Sequence, residues 1–386
     1  MGEAARDQRP QRTPRILILT ASVGEGHDLP ARTLAAQLRA EQPDAEIVTE
    51  DALASMGRLV RVVSADAGRI VFFRFQWLWD LGFWFFAGNP LTRRLTQVAL
   101  TRAAGNGLVA LIDRVDPDVV VCTYPNTTEV LGRLRKAGRI GVPVCAAITD
   151  VAAMHYWASP GIDVHLITHP ESVDEVRLVA GDDARIVCVH GLTAPEFLIP
   201  TSVADARARL NLPADGQIVL VSGGGWGVGD VGGAVEEALA VDDVVAVVCL
   251  CGRNASLFDG MRARFARDSR VRVEGFTDQM ADWMAAADVL VHSTGGLTVL
   301  EALMRGIPAI SYGWGRGHLR VNNAAFRRFG LAEVVTTRAE LRPAIAQALL
   351  RGRTLTDTFE NLPSAASIIL AEASRADRRP MIPTHG

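Results

Sequence analysis

Ile16-Leu17-Ile18-Leu19-Thr20-Ala21-Ser22-Val23-Gly24-Glu25-Gly26-His27 is a hydrophobic, strand-like run that breaks into a glycine turn and passes into a helical pattern. A second stretch of the same build stands far along the chain: Val289-Leu290-Val291-His292, then Ser293-Thr294-Gly295-Gly296-Leu297-Thr298. A strand that turns through glycines into a helix aims backbone N–H groups and the positive end of the helix dipole at one point, which suits an anion such as a diphosphate. One turn carries His27, and the helix after the other carries Glu301. Two such units predict a two-lobed enzyme with its chemistry between the lobes.

Outward from these turns, strand-like runs alternate with helical patterns from Arg15 onward, the pattern of parallel sheets covered on both faces. In the first half the runs are Ile16 to Thr20, Glu46 to Thr49, Val119 to Cys122, Val144 to Thr149, His165 to Thr168 and Arg185 to Val189. The second half repeats them at Ile218 to Ser222, Val244 to Cys251, Val271 to Glu274, Val289 to His292 and Pro308 to Ser311. Gly191 to Ala204, with Pro195 and Pro200, reads as the linker. The expected fold is α/β, with two doubly wound, Rossmann-like domains at 15–195 and 196–375 facing each other across a cleft. The basic ends, 1–14 and 376–386, are expected to be disordered tails.

A length of 386 residues is too much for one ordinary core and fits two domains. A formal charge of −3 offers no general attraction to nucleic acid, which excludes it as an expected partner. The five cysteines, Cys122, Cys145, Cys188, Cys249 and Cys251, lie mostly in strand-like runs without Cys-x-x-Cys spacing and without a secretory leader pattern ahead of them. They read as buried reduced thiols, hence a cytoplasmic location.

No stretch reaches the roughly 18 to 20 uninterrupted apolar residues of a membrane span. Segment 60–100 is nevertheless dense in aromatics, with Phe72, Phe73, Phe75, Trp77, Trp79, Phe83, Trp84, Phe85 and Phe86. Arg58, Arg61, Arg69, Arg93 and Arg94 flank them, and aromatic rings bordered by arginine favour a bilayer interface. Phe75, Trp77, Trp79 and Trp84 are therefore expected to meet an anionic membrane surface peripherally, the alternative being helices packed inside the first domain.

In an open parallel sheet, ligands bind where strands end, so the loops after strands hold the candidates. Gly24 and Gly26 permit close backbone approach, but Leu29 stands where a dinucleotide fingerprint has its third glycine, which weakens the reading of Asp51 as a ribose-binding acid. His27, at a helix start, has the proton affinity to act on a hydroxyl. Asp150 ends the run Ile148-Thr149-Asp150 and is either a helix cap, a partner that holds an imidazole, or the base itself. Asp116-Pro117-Asp118 precedes its strand, at the wrong end of the sheet for the cleft, and reads as a turn; no metal site follows from it. In the second half, Gly223, Gly224, Gly225 and Trp226 follow a strand and are expected to form a phosphate nest, a flexible loop being the alternative, with Arg253 of Cys251-Gly252-Arg253-Asn254 expected in reach of the same anion. Glu301 lies within the helix that follows Gly295 and Gly296, where a carboxylate can accept both hydroxyls of a ribose.

At these residues the chain resembles the monogalactosyldiacylglycerol synthase and processive diacylglycerol glucosyltransferase family, relatives of the lipid-II N-acetylglucosaminyltransferase. The likeness spans most of residues 15 to 335. It rests on Leu19 to His27, Ile148-Thr149-Asp150 with His155 and Trp157, Gly223 to Gly225, Cys251 to Asn254, Gly275-Phe276 with Met280 and Met284, and Gly295 to Glu301. The resemblance implies a GT-B architecture, a UDP-sugar held by the second domain, a lipid acceptor held by the first, and inverting transfer without a bound metal or any cofactor besides the co-substrate. It also implies Glu301 at the ribose, Gly275, Phe276 and Met280 near the uracil, and Ser293, Thr294, Gly295, Gly296, Leu297 and Thr298 along the diphosphate, with His318 and Asn322 toward the sugar. Trp226 stands where the family often has Glu, Leu297 where it has Gly and His318 where it has Gln, so galactose, glucose and N-acetylglucosamine all stay open, with UDP-galactose or UDP-glucose favoured.

The expected reaction is a hexosyl transfer to a lipid hydroxyl such as that of diacylglycerol, with His27 or Asp150 as base, on the inner face of the cell membrane. The alternatives are a GT-B enzyme that uses a soluble small-molecule acceptor and a noncatalytic UDP-sugar-binding protein.

Overall fold

The computed structural model describes residues 13–21, 25–62, 71, 75–152, 154–313, 315, 317–354, 359 and 361–376. Gly24, both basic tails beyond their innermost residues, and Phe72 and Phe73 of the aromatic segment lie outside the described residues.

Twelve strands form two parallel sheets. The first takes β1 (Arg15–Thr20), β2 (Glu46–Asp51), β3 (Val119–Cys122), β4 (Val144–Ile148), β5 (Val164–Ile167) and β6 (Ile186–Cys188) in the order β2-β1-β3-β4-β5-β6. The second takes β7 (Gln217–Ser222), β8 (Val244–Leu250), β9 (Val271–Glu274), β10 (Val289–His292), β11 (Ala309–Tyr312) and β12 (Glu333–Val335) in the order β12-β11-β10-β7-β8-β9. Residues of both faces of β1, β3 and β4 are fully buried, which is why these strands read as unbroken apolar runs rather than alternating ones.

Each sheet reverses its winding once, between β1 and β3 in the first and between β7 and β10 in the second. The connections leave these neighbouring strands in opposite directions, and a crevice opens at their carboxyl ends. His27 follows β1 and Thr123 follows β3; Gly223 follows β7 and Ser293 follows β10.

The C-terminal boundary at 375 needs correction. The helix Ala365–Ala376 packs on the first sheet, where Ala365, Ala366, Ile369 and Ala373 are buried among Ile16, Ile18, Leu34 and Leu38. Its small residues let it lie close to the helix Glu25–Glu41, and the chain crosses between the halves a second time to place it there.

Pro90–Val115 is, among the described helices, the one long and apolar enough by length and composition to cross a membrane. Its second half is a core element: Ala104, Leu108, Leu111 and Ile112 pack with β1, β3 and the helix Pro125–Lys136. It ends at Asp116, in the left-handed conformation, while Asp118 accepts from the Arg15 N–H at 2.7 Å, so that Asp-Pro-Asp segment is a turn away from the cleft.

Candidate active site

His27 is the third residue of the helix Glu25–Glu41, and its ring is fixed by what the neighbouring strand offers. Nδ1 lies 2.9 Å from the Thr123 carbonyl oxygen, which can only accept, so Nδ1 carries the hydrogen and Nε2 keeps its lone pair. Tyr124 meets the ring edge-on at 5.2 Å between centroids. The main chain is held as well, because Thr20 and Thr123 both donate to the His27 carbonyl. Desolvation lowers the His27 pKa, Asp150 and the Thr123 carbonyl oppose that, and His318 adds a smaller downward push. The imidazole is thus kept neutral and basic at physiological pH, the state a proton acceptor needs.

Asp150 follows β4 and joins the two halves. One carboxylate oxygen accepts from Trp157 Nε1 at 2.6 Å, and the other accepts from Asn322 Nδ2 at 2.8 Å. Asn322, fully buried, returns its own oxygen to the backbone N–H groups of Val151 and Ala152, each at 3.1 Å. The helix-cap reading of Asp150 therefore gives way to a bridging one. His318 stacks obliquely on Trp157 with ring centroids 6.0 Å apart, and burial lowers its pKa against the pull of Asp150. A small cleft lined by His27, Thr123, Tyr124, Thr149 and Trp157 lies beside this group.

Opposite stand the loops of the second sheet. Gly224 has φ +67°, and a Cβ there would come within 2.5 Å of Thr294; Gly229 has φ +97°, and a Cβ there would strike Ser293. Glycine is required at both places, which locks the loop after β7 onto the loop after β10. Arg253, whose N–H donates to the Gly225 carbonyl, lays its guanidinium over the Phe276 ring at 3.6 Å. Phe276 is 47% exposed, open to a flat partner. Trp226 and Gly275 border the same loops. Gly296, at the start of the helix Gly296–Met304, abuts the first half: a Cβ on it would lie 2.2 Å from the Thr149 carbonyl oxygen, and one on Gly295 would lie 3.0 Å from Asp150.

Two family models divide the chain between them. Residues 27–193 match monogalactosyldiacylglycerol (MGDG) synthase, and residues 218–376 match the glycosyltransferase family 28 C-terminal domain. Processive diacylglycerol beta-glucosyltransferase of Staphylococcus aureus strain MRSA252 is 25% identical over 350 residues, covering 90% of this chain and 88% of its own length. The chain is a glycosyltransferase. Its fold is GT-B: MurG of Acinetobacter baumannii superposes with a TM-score of 0.54 at 15% identity, covering 95% of each chain. UGT89C1 of Arabidopsis thaliana, solved with UDP, gives 0.59 at 13% identity over 94% of this chain and all of its own.

In this glycosyltransferase three expected donor contacts sit differently from the sequence reading. Glu301 is 5% exposed and accepts from the Thr193 hydroxyl at 2.5 Å, so its carboxylate faces the segment between the halves instead of an open ribose site. The sixth position of the helix turns it toward Gly191–Thr193, and burial raises its pKa to about 7 against the Thr193 hydrogen bond. The Leu297 side chain packs with Leu300 and Phe359, leaving only its backbone for an anion. Met280 packs on the core around Trp283 and Met284, away from the exposed ring of Phe276. Thr298 is half-buried on the same helix, one turn past Gly295. Gly26 is exposed, and Asp51 caps its own short helix through Leu53 N–H.

The aromatic segment divides by side. Phe75, Trp77, Trp84, Phe85 and Phe86 are exposed, with Leu81, Leu91 and Leu95 beside them. Trp79 is turned inward, because a Cβ on Gly317 would lie only 2.7 Å from its Nε1. Thr123 and Thr193 are not legible as site residues, since Thr123 acts through its main-chain carbonyl and Thr193 through a contact with Glu301, far along the chain. Among the described residues, no group of three or more His, Cys, Asp or Glu is placed to hold a metal ion.

Proposed function

We propose that this glycosyltransferase moves a hexose, from UDP-glucose or UDP-galactose, to the hydroxyl of a membrane lipid such as diacylglycerol, with inversion at the anomeric carbon. What carries the reading is His27, tautomerically fixed by Thr123, standing in the cleft next to the Asp150–Asn322 bridge between the halves. The acceptor oxygen attacks the anomeric carbon while the bond from that carbon to the diphosphate breaks. The hydroxyl proton passes to His27 Nε2, with Asp150 stabilising the imidazolium that forms. The departing UDP places its charge at the Gly295–Gly296 helix start and beside Arg253, positive groups already in position. Phe276 offers its face to the uracil. The donor is a co-substrate, and no other cofactor enters the scheme.

The close packing of Gly296 on Thr149 means that donor entry requires the halves to part. Lipid as the acceptor is supported by the exposed rings of 75–86, bordered by Arg58, Arg61, Arg93 and Arg94, which suit peripheral binding to an anionic bilayer on the cytoplasmic side. The named activity of the Staphylococcus aureus relative points the same way. The test is incubation with a panel of UDP-sugars and mixed lipid vesicles, with products read by mass. A glycolipid is the expected result. Transfer only to soluble aglycones, or UDP binding with no turnover, would replace this reading.

A further inference from the structure

The helix Gln76–Phe83 has two working sides. Outward it exposes Trp77, Leu78 and Leu81; inward it carries Trp79, Asp80 and Phe83. The inward side reaches across to the other half of the protein. Asp80 Oδ1 accepts from the Gly317 N–H at 2.9 Å. Gly317 caps the helix His318–Phe329, at φ +53° and ψ −123°, a conformation that favours glycine. A Cβ there would also run into Trp79 at 2.7 Å and Phe83 at 3.4 Å. Phe83 continues the contact by packing on a cluster drawn from both halves, Val151, Ala152, Met154, Val299, Ala325 and Phe326. The very next residue, His318, stacks on Trp157, and one turn further Asn322 holds Asp150.

We propose that Asp80 is a positioning residue: its carboxylate, on the helix that carries the exposed aromatic face, holds the start of the helix of His318 and Asn322, so that seating on a lipid surface favours the closed cleft. The proposal rests on the lipid reading given above. A helix immobilised at a bilayer presents Asp80 in one orientation, and a carboxylate at a helix N-terminus gains both a charge-assisted hydrogen bond and the dipole. Free in water, the same helix holds its partner only while its own fluctuations allow. The coupling needs no change in what His27 or Asp150 does; it changes how often they are assembled.

The experiment uses vesicles of diacylglycerol in phosphatidylglycerol, with three measurements on wild type, Asp80→Ala and Asp80→Asn: sedimentation with vesicles, amide exchange over 317–323, and UDP release from UDP-glucose or UDP-galactose. Wild type is expected to sediment and to slow its exchange over 317–323 about tenfold on vesicles. Asp80→Ala is expected to sediment equally, lose that slowing and lose about tenfold in kcat, with Asp80→Asn between them because its amide oxygen still accepts. Wild-type exchange that is indifferent to vesicles, or an Asp80→Ala protein with undiminished turnover, overturns the proposal alone. An Asp80→Ala protein that no longer sediments assigns Asp80 to the scaffold and overturns it too. Failure of the wild type itself to sediment overturns the lipid reading, and the coupling with it.

Discussion

Asn322 and Asp150, 172 positions apart in sequence, meet at 2.8 Å across the cleft, and the amide also satisfies the N–H groups of Val151 and Ala152. Three hydrogen bonds thus converge on one fully buried side chain, and truncating it strands two buried donors and one acceptor. Each such loss costs about 1–3 kcal/mol. Asn322→Asp is more severe, because a second carboxylate would face Asp150 at that distance. We expect Asn322→Asp to hold the halves apart, seen as a larger radius of gyration by solution scattering, with at least about a tenfold drop in turnover. Unchanged scattering and rate would show that the bridge does not govern closure.

Removing the imidazole should act on chemistry alone. His27→Ala is expected to lower kcat by about 10² to 10⁴, the usual worth of general-base help, while UDP affinity stays as in the wild type. The base must be neutral to work, so rate falls as pH drops through its pKa. Because desolvation lowers that pKa from 6.5, the acid limb of kcat/KM should lie below pH 6.5 in the wild type. A limb well above 6.5, or a His27→Ala enzyme of full activity, would remove His27 from the mechanism.

The two faces of the aromatic helix should separate by mutation. Trp77 is 66% exposed and Trp84 is 52% exposed, so replacing both with Ser should weaken vesicle binding with little change in Tm. Trp79→Ser instead empties the space against Gly317 and should destabilise by about 3 kcal/mol, within the range for a truncated packed tryptophan. Equal losses of Tm from both sets would mean that the outer rings are structural.

Much of this organisation is legible in the sequence because parallel strands buried on both faces leave unbroken apolar runs. The central strands follow from such runs and the outer ones from shorter strand-like stretches, eleven of the twelve in all; β12 escapes, since Glu333-Val334-Val335 is three residues at a sheet edge. His27 and Asp150 are legible from their place after strands. Their partners are not, because Thr123 contributes a main-chain carbonyl and Asn322 arrives from the other half. Glu301 shows the limit most clearly: its position in the helix is readable, but the direction of its carboxylate depends on where Thr193 lies. The return of the helix Ala365–Ala376 to the first sheet is equally hidden, as its apolar face would fit either half.

Glu301 gives a prediction in pH. Its folded pKa of about 7 lies above the 4.5 of an ordinary glutamate, because burial penalises the charged form more than the Thr193 hydroxyl relieves it. Below pH 4.5 the side chain is protonated in both folded and unfolded chains, and the full stability is present. Between 4.5 and 7 the unfolded chain releases this proton while the folded chain keeps it, so stability falls as pH rises, on the order of 3 kcal/mol in all. Glu301→Gln keeps an oxygen for Thr193 but has no proton to release. Its unfolding free energy, from urea titrations at pH 5 and pH 8, should therefore fall less across that interval than the wild type's. Parallel pH profiles for the two proteins would show that Glu301 is solvated and charged in the folded chain, and that its bond to Thr193 is not what holds it.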